Sequence, residues 1–143
     1  MNYNEFLHTK VQVAPVSGFT VAPEDIHPAL KPHQRDAVIW ACKGGRRALF
    51  ESFGLGKTVQ ELEWCRLVQE HEQAPVIIVL PLGVRQEFTR DAVQLLGMDA
   101  PVYVRTMAEV RERTAKIYMT NYERVRGKFL PTVLRQALPG GLT

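Results

Sequence analysis

Apolar residues fall along this chain in two alternating patterns. Val76-Ile77-Ile78-Val79-Leu80 is an unbroken run of strand length, the pattern of a strand covered on both faces. Arg47-Ala48-Leu49-Phe50, Pro101-Val102-Tyr103-Val104 and Lys116-Ile117-Tyr118-Met119 are shorter runs of the same kind. Between them the period changes. Residues 59–68 carry apolar side chains at helical spacing, and residues 85–96 place Phe88, Ala92, Leu95 and Leu96 on one side before Gly97. A charged segment, 107–113, reads as a short helix between the last two strands. Upstream, Pro32 suits a first helical position, Ala37, Val38, Trp40 and Ala41 give an apolar face, and Gly44-Gly45 ends the helix. Gln73-Ala74-Pro75 and Pro81-Leu82-Gly83 break the chain on either side of the strongest strand. Strand and helix in alternation predict an α/β domain with a mostly parallel, doubly wound sheet flanked by helices.

The ends fit this pattern less well. Residues 1–29 form an N-terminal extension, with a short helix expected at 4–10 and irregular chain after it. Residues 30–128 hold the alternating body, and 129–143 form an atypical tail with a helix expected at 131–138. No repeat or low-complexity tract is present.

Composition narrows the class. With 45% hydrophobic and 23% charged residues in 143, the chain is ordinary globular material with enough apolar residues for one core. No apolar run nears the roughly 20 residues of a membrane span, and Met1-Asn2-Tyr3-Asn4-Glu5 lacks a basic-then-apolar leader, so a cytoplasmic location is expected. Cys42 and Cys65 sit among apolar helix neighbours without metal-ligand spacing and read as core residues. Trp40 and Trp64 also read as core. The net charge of +3 is uneven: from Pro101 onward eight Lys or Arg face three acids. A basic end suits nucleic acid, and a solvated surface accounts for it equally well.

The stretch that asks for a specific ligand is Phe53-Gly54-Leu55-Gly56-Lys57-Thr58, between a predicted strand and a predicted helix. Glycines at 54 and 56 let backbone N–H groups converge on one anion, and the following helix adds its positive end. In that geometry Gly54, Leu55 and Gly56 cradle phosphates, Lys57 reaches the β- and γ-phosphates, and the Thr58 hydroxyl is placed to ligate Mg²⁺. Lys57 is then the side chain on which catalysis would depend. The strict phosphate-loop pattern wants Gly at position 51, where this chain has Glu51. A glycine-rich turn capping an ordinary helix is the alternative.

Taken with its surroundings, the motif resembles the start of superfamily-two DEAD/DEAH-box helicases, in particular their Swi/Snf-like branch. Leu30-Lys31-Pro32-His33-Gln34 looks like that branch's opening helix, and Glu51-Ser52-Phe53-Gly54-Leu55-Gly56-Lys57-Thr58 like its acid-led phosphate loop. Residues 76–82 resemble the strand that ends in a nucleic-acid-contacting turn, and Ile117-Tyr118-Met119-Thr120-Asn121-Tyr122-Glu123 resembles the family's Thr-Asn-Tyr-Glu segment. Met1-Asn2-Tyr3-Asn4-Glu5-Phe6-Leu7 is similar to the opening of small helicases of phages and mobile elements. The resemblance spans residues 1 to about 128.

It implies part of a RecA-like P-loop NTPase domain that takes ATP and Mg²⁺ and acts on nucleic acid, DNA rather than RNA. It implies that Gln34 reads the adenine edge, and that Pro81, Arg85, Thr120 and Tyr122 lie near a nucleic-acid backbone. Plain alternatives are an exposed helix glutamine at 34, and a helix cap at Thr120 or Asn121 beside a packed Tyr122. The family's Asp-Glu pair and second motor domain have no counterpart in these residues. The expectation is therefore an ATP-binding portion of a helicase or translocase, incomplete for hydrolysis by itself, whose partner would be a downstream polypeptide carrying the rest of the motor. A non-catalytic nucleotide- or nucleic-acid-binding module, one half of a split helicase, and an unrelated P-loop enzyme are the alternatives.

Overall fold

A computed structural model of the chain describes residues 2–5, 15–49 and 56–125. Its ordered body is an α/β arrangement. Helix α1, Pro32–Gly44, leads to α2, Lys57–Glu72, and then to strand β1, Val76–Leu80. A 3₁₀ turn, Leu82–Val84, opens α3, Arg85–Gln94. Strand β2, Val102–Tyr103, helix α4, Met107–Glu112, and strand β3, Ile117–Asn121, complete it, followed by one helical turn at Tyr122–Arg124. Residues 3–5 are also helical, and the rest of the helix expected at 4–10 lies outside the described residues, as do Gly54, Leu55 and the tail helix.

The sheet has three strands in the order β1-β3-β2, all parallel. Val76 faces Ile117 and Leu80 faces Asn121, while Val102 and Tyr103 face Tyr118 and Met119. The central position of β3 explains its burial: all five of its residues are buried. β1, the more apolar run, lies at the edge of the described sheet and is only part-buried at Val76, Ile77 and Val79. Hydrophobicity thus marked the strands without giving their order.

Residues 47–49, expected to form a strand, have no β pairing. A strand exists only with a hydrogen-bonded neighbour, and this segment pairs with none of the three strands of the described sheet.

Helix α1 follows its signals closely. Pro32 is its first residue, and Gly45 ends it with φ of +80°, a conformation that favours glycine. Its buried side is Gln34, Val38, Ala41 and Cys42, a spacing of four, three and one. Trp40 falls off that stripe and is 50% exposed, so it is not a core residue; the Arg47 guanidinium lies 5.6 Å from its ring centre. Leu95, half exposed, likewise leaves the face carrying Phe88, Ala92 and Leu96. The last carbonyls of α1 are satisfied from upstream: the Ser17, Gly18 and Phe19 N–H groups donate to Gly44, Lys43 and Cys42 at 3.2, 3.2 and 2.9 Å. A Cβ at Gly18 would collide with the Cys42 carbonyl, which ties this glycine to the close approach.

The core gathers Val38 and Cys42 of α1, Leu62, Cys65 and Leu67 of α2, Ile78 and Leu80 of β1, Phe88 and Ala92 of α3, and Ile117 and Met119 of β3. Both cysteines are free and buried, as expected. Burial, with the Glu63 carboxylate adding to it, pushes the Cys42 thiol up to about 11. Burial, with Glu61 adding to it, pushes Cys65 to about 12. No described helix is long and apolar enough to cross a membrane.

Candidate functional site

Where the phosphate-loop motif is described, it forms a helix start open to an anion. Gly56 precedes α2 in the left-handed conformation, φ 71° and ψ 47°, and as a glycine it offers no side-chain cap to the N–H groups that follow. Lys57 is the first residue of this 16-residue helix and Thr58 the second, and the first turn holds no acid. Lys57 is exposed and Thr58 half-buried. An anion there would meet the backbone N–H groups of the first turn, the positive end of the helix dipole and the Lys57 ammonium, with no carboxylate competing in that turn. Glu61 lies one turn further on. The Glu61 side chain lies on an exposed part of α2; crowding by its protein neighbours raises its carboxyl, and the Lys57 ammonium pulls it partly back.

Gln34 comes to the same place. It is buried, 7% exposed, and its Oε1 accepts the Lys31 N–H at 2.8 Å, closing the start of α1. Its Nε2 faces Gly56 so closely that a Cβ on Gly56 would collide with it. The two helix starts therefore meet at one amide. The exposed-glutamine alternative does not describe this residue: one end of its amide is committed to α1 and the other is turned to the end of the phosphate loop.

The second group of expected residues gathers at the carboxyl ends of the parallel strands, where α/β sheets place their ligand crevices. Pro81 follows β1, and Arg85 starts α3 with its guanidinium 4.8 Å from the ring centre of Tyr103. The Tyr103 hydroxyl donates to Asn121 Oδ1 at 3.2 Å, and Asn121 Nδ2 donates to Glu123 Oε2 at 2.7 Å. Thr120 is fully buried, and its hydroxyl has no hydrogen-bond partner among the described residues, so it cannot itself touch a ligand at the surface. Tyr122 is 52% exposed, not packed, and Asn121 makes no side-chain cap. Leu82, at the tip of the 3₁₀ turn, is also exposed. Among the described residues the arrangement offers a cation held against a ring, a half-exposed aromatic ring and an acid, with Arg124 in the turn that carries the last two.

Two features escaped sequence reasoning. The Tyr103–Asn121–Glu123 chain depends on strand register, which no local signal fixes. The buried Glu63 is paired with Arg66, which also binds Glu70 at 2.9 Å and donates to the Asp25 carbonyl at 2.9 Å. The spacing of Glu63, Arg66 and Glu70 at i, i+3 and i+7 was the available signal for this cluster.

A cavity of about 320 Å³ lies between β1, α1, α2 and residues 47–49, and reaches Gln60 and Glu61, one turn beyond Lys57. Val38, Leu49, Trp64 and Val76 through Val79 line it, and neither Lys57 nor Thr58 does. Among the described residues no group of three or more His, Cys, Asp or Glu could hold a metal ion. The donors at Gly56–Thr58 fit a phosphate group; toward Mg²⁺ they offer a single hydroxyl, the remaining positions falling to phosphate oxygens and water. No protein-family model matches the sequence, and no curated protein is similar to it.

Proposed function

We propose that this chain is the ATP-binding portion of a helicase- or translocase-like motor, a partial RecA-like P-loop domain that binds ATP with Mg²⁺. The observation that carries the reading is the start of α2: a left-handed Gly56, an exposed Lys57 and Thr58 in an acid-free first turn, with Gln34 seated against the glycine. Lys57 would neutralise charge between the β- and γ-phosphates, the N–H groups of the first turn would hold the phosphate oxygens, and the Thr58 hydroxyl would join the metal. The chemistry Mg²⁺ would supply when bound is neutralisation of phosphate charge. Gln34 could offer adenine only its Nε2 donors unless the cap to Lys31 opens, so base selectivity should be modest.

Nucleic acid would lie at the strand ends, with Tyr122 stacking a base and Arg85 near a phosphate, if it leaves the Tyr103 ring. Among the described residues few cations lie there, so binding should be weak and should weaken further with added salt at a slope set by the number of phosphate contacts. Turnover by these residues alone should be near background, because Lys57 and Thr58 supply only part of what phosphoryl transfer needs, and an arginine finger by itself is worth about 10³ to 10⁵ in rate. A non-catalytic nucleotide-binding module is the second reading, and adding the rest of a motor would separate the two by restoring hydrolysis.

Calorimetry with Mg·ATP tests the proposal. Lys57→Ala should weaken binding at least tenfold while leaving the unfolding midpoint unchanged; equal affinities would overturn it. Tyr122→Ala should cost about 1–3 kcal/mol of single-stranded DNA binding without loss of ATP affinity, read by fluorescence anisotropy at low salt. Unchanged DNA binding would remove the strand ends from the proposal.

A further inference from the structure

Arg85 stands where the strands end, and the register of the sheet assembles its surroundings. Directly opposite residues of paired strands share a face, as do residues two apart in one strand. Tyr103 and Ile78 both face Met119, and Leu80 faces Asn121, so these five side chains lie on one side of the sheet. Helix α3 covers that side, its Phe88 and Ala92 packing in the same core as Ile78, Leu80 and Met119. Arg85, the first residue of α3, thereby comes to rest with its guanidinium over the Tyr103 ring, at 4.8 Å. Asn121 follows Met119 on the same face; its Oδ1 accepts the Tyr103 hydroxyl at 3.2 Å, and its Nδ2 donates to Glu123 at 2.7 Å. The ring is thus pinned at its far end. Among the described residues no carboxylate or carbonyl accepts a hydrogen bond from the Arg85 guanidinium, so the ring is what holds it.

We infer that Tyr103, pinned by Asn121 and Glu123, is a latch on the proposed nucleic-acid site: it keeps Arg85 on its ring until a phosphate of the bound strand takes the guanidinium over. The inference rests on that reading of the strand ends. Arg85 and Tyr103 are both half-buried, whereas Leu82 and Tyr122, against which a strand would lie, are exposed, so Arg85 must swing outward to meet it. A ring contact is weak beside charge-assisted hydrogen bonds to phosphate, and the ligand wins the exchange. The ring still competes, because only molecules with Arg85 released can make the phosphate contact; for a ring contact of this kind the loss is about two- to fivefold in affinity. The complex holds the same phosphate contacts with or without the ring, so removing the ring should leave the salt dependence unchanged.

Fluorescence anisotropy titrations of the full chain with a single-stranded oligonucleotide, across a salt series, test the latch. Tyr103→Leu should bind about two- to fivefold tighter throughout, with the slope of log affinity against log salt unchanged. Tyr103→Phe, which keeps the ring and loses its pin, should fall between Tyr103→Leu and the parent chain. Arg85→Gln should weaken binding, flatten the slope by about 0.7 for one contact on a single strand, and abolish the gain from Tyr103→Leu. The parent chain supplies a measurement that no substitution can confound. Protons over a ring face are shielded, so the Arg85 Nε proton should resonate upfield in the free chain and return downfield on saturation with the oligonucleotide. Weaker binding by Tyr103→Leu, a gain that persists without Arg85, or an Arg85 proton that stays shielded at saturation would overturn the latch alone. No binding by any of these proteins would overturn the reading of the strand ends, and the latch with it.

Discussion

Replacing Gly56 with alanine perturbs the contact on which the candidate site is built. Two costs add. A non-glycine residue at φ 71° and ψ 47° pays about 1–2 kcal/mol for the left-handed conformation. The new Cβ also collides with Gln34 Nε2, and relief requires the amide to swing away from Gly56. That movement breaks the bond between Gln34 Oε1 and the Lys31 N–H, a buried cap worth about 1 kcal/mol. Gly56→Ala should therefore destabilise by about 2–3 kcal/mol, and Gln34→Ala alone by about 1 kcal/mol. In the double variant the collision has no second partner and the cap is already gone, so its cost should be about 2–3 kcal/mol, short of the sum by about 1 kcal/mol. Urea denaturation of the four proteins measures this coupling, and calorimetry on the same set reads its consequence for Mg·ATP. Additive effects within about 0.3 kcal/mol would refute the claim that Gln34 and Gly56 act as one unit.

Other outcomes follow from the core. Arg66→Ala strips the fully buried Glu63 of its guanidinium and should cost about 2–4 kcal/mol, well above Glu70→Ala at the exposed end of the same cluster; similar urea midpoints for the two would contradict it. The buried thiols give an alkaline limit. Each has its folded pKa raised from 9.0, so the stabilisation of the neutral thiol is complete below pH 9 and is lost as pH rises, up to about 11 for Cys42 and about 12 for Cys65. Stability should fall by about 1.4 kcal/mol per pH unit for each cysteine in that window, less so in Cys42→Ala or Cys65→Ala backgrounds, as thermal melts across the range would read. Melts that ignore both substitutions above pH 9 would argue against burial of these thiols.

Most of the fold was legible because local chemistry and tertiary context agreed. Pro32, Gly45 and Gly97 marked helix ends through backbone constraints that hold in any surroundings. Val76-Ile77-Ile78-Val79-Leu80 could form only a strand, but its apolar run suggested two covered faces where the described sheet leaves it at an edge. Trp40 lies outside the core because its position on the helix falls off the buried stripe despite its large apolar side chain; Gln34, not Trp40, shares the stripe of Val38 and Ala41. The segment at 47–49 failed for a different reason: strand propensity resides in the residue, while strand formation resides in the neighbour. At the candidate site, sequence places Lys57 and Thr58 in the loop just ahead of the helix, where the structure makes them its first two residues, and gives Gln34 a chemical role, but the contact between Gln34 and Gly56 joins two helices that are separated in the chain. No local pattern encodes it.

The most direct measurement is a titration of the ¹⁵N-labelled chain with Mg·ATP, following backbone amides. Binding at the start of α2 should shift Gly56, Lys57, Thr58 and Val59 first and most, with the Gln34 side-chain amide moving in step and Ile117–Asn121 unmoved; inorganic phosphate should produce a weaker version of the same pattern. Saturating Mg·ATP that leaves these four amides in place, or shifts cavity-lining residues such as Trp64 and Ile78 instead, would contradict the account.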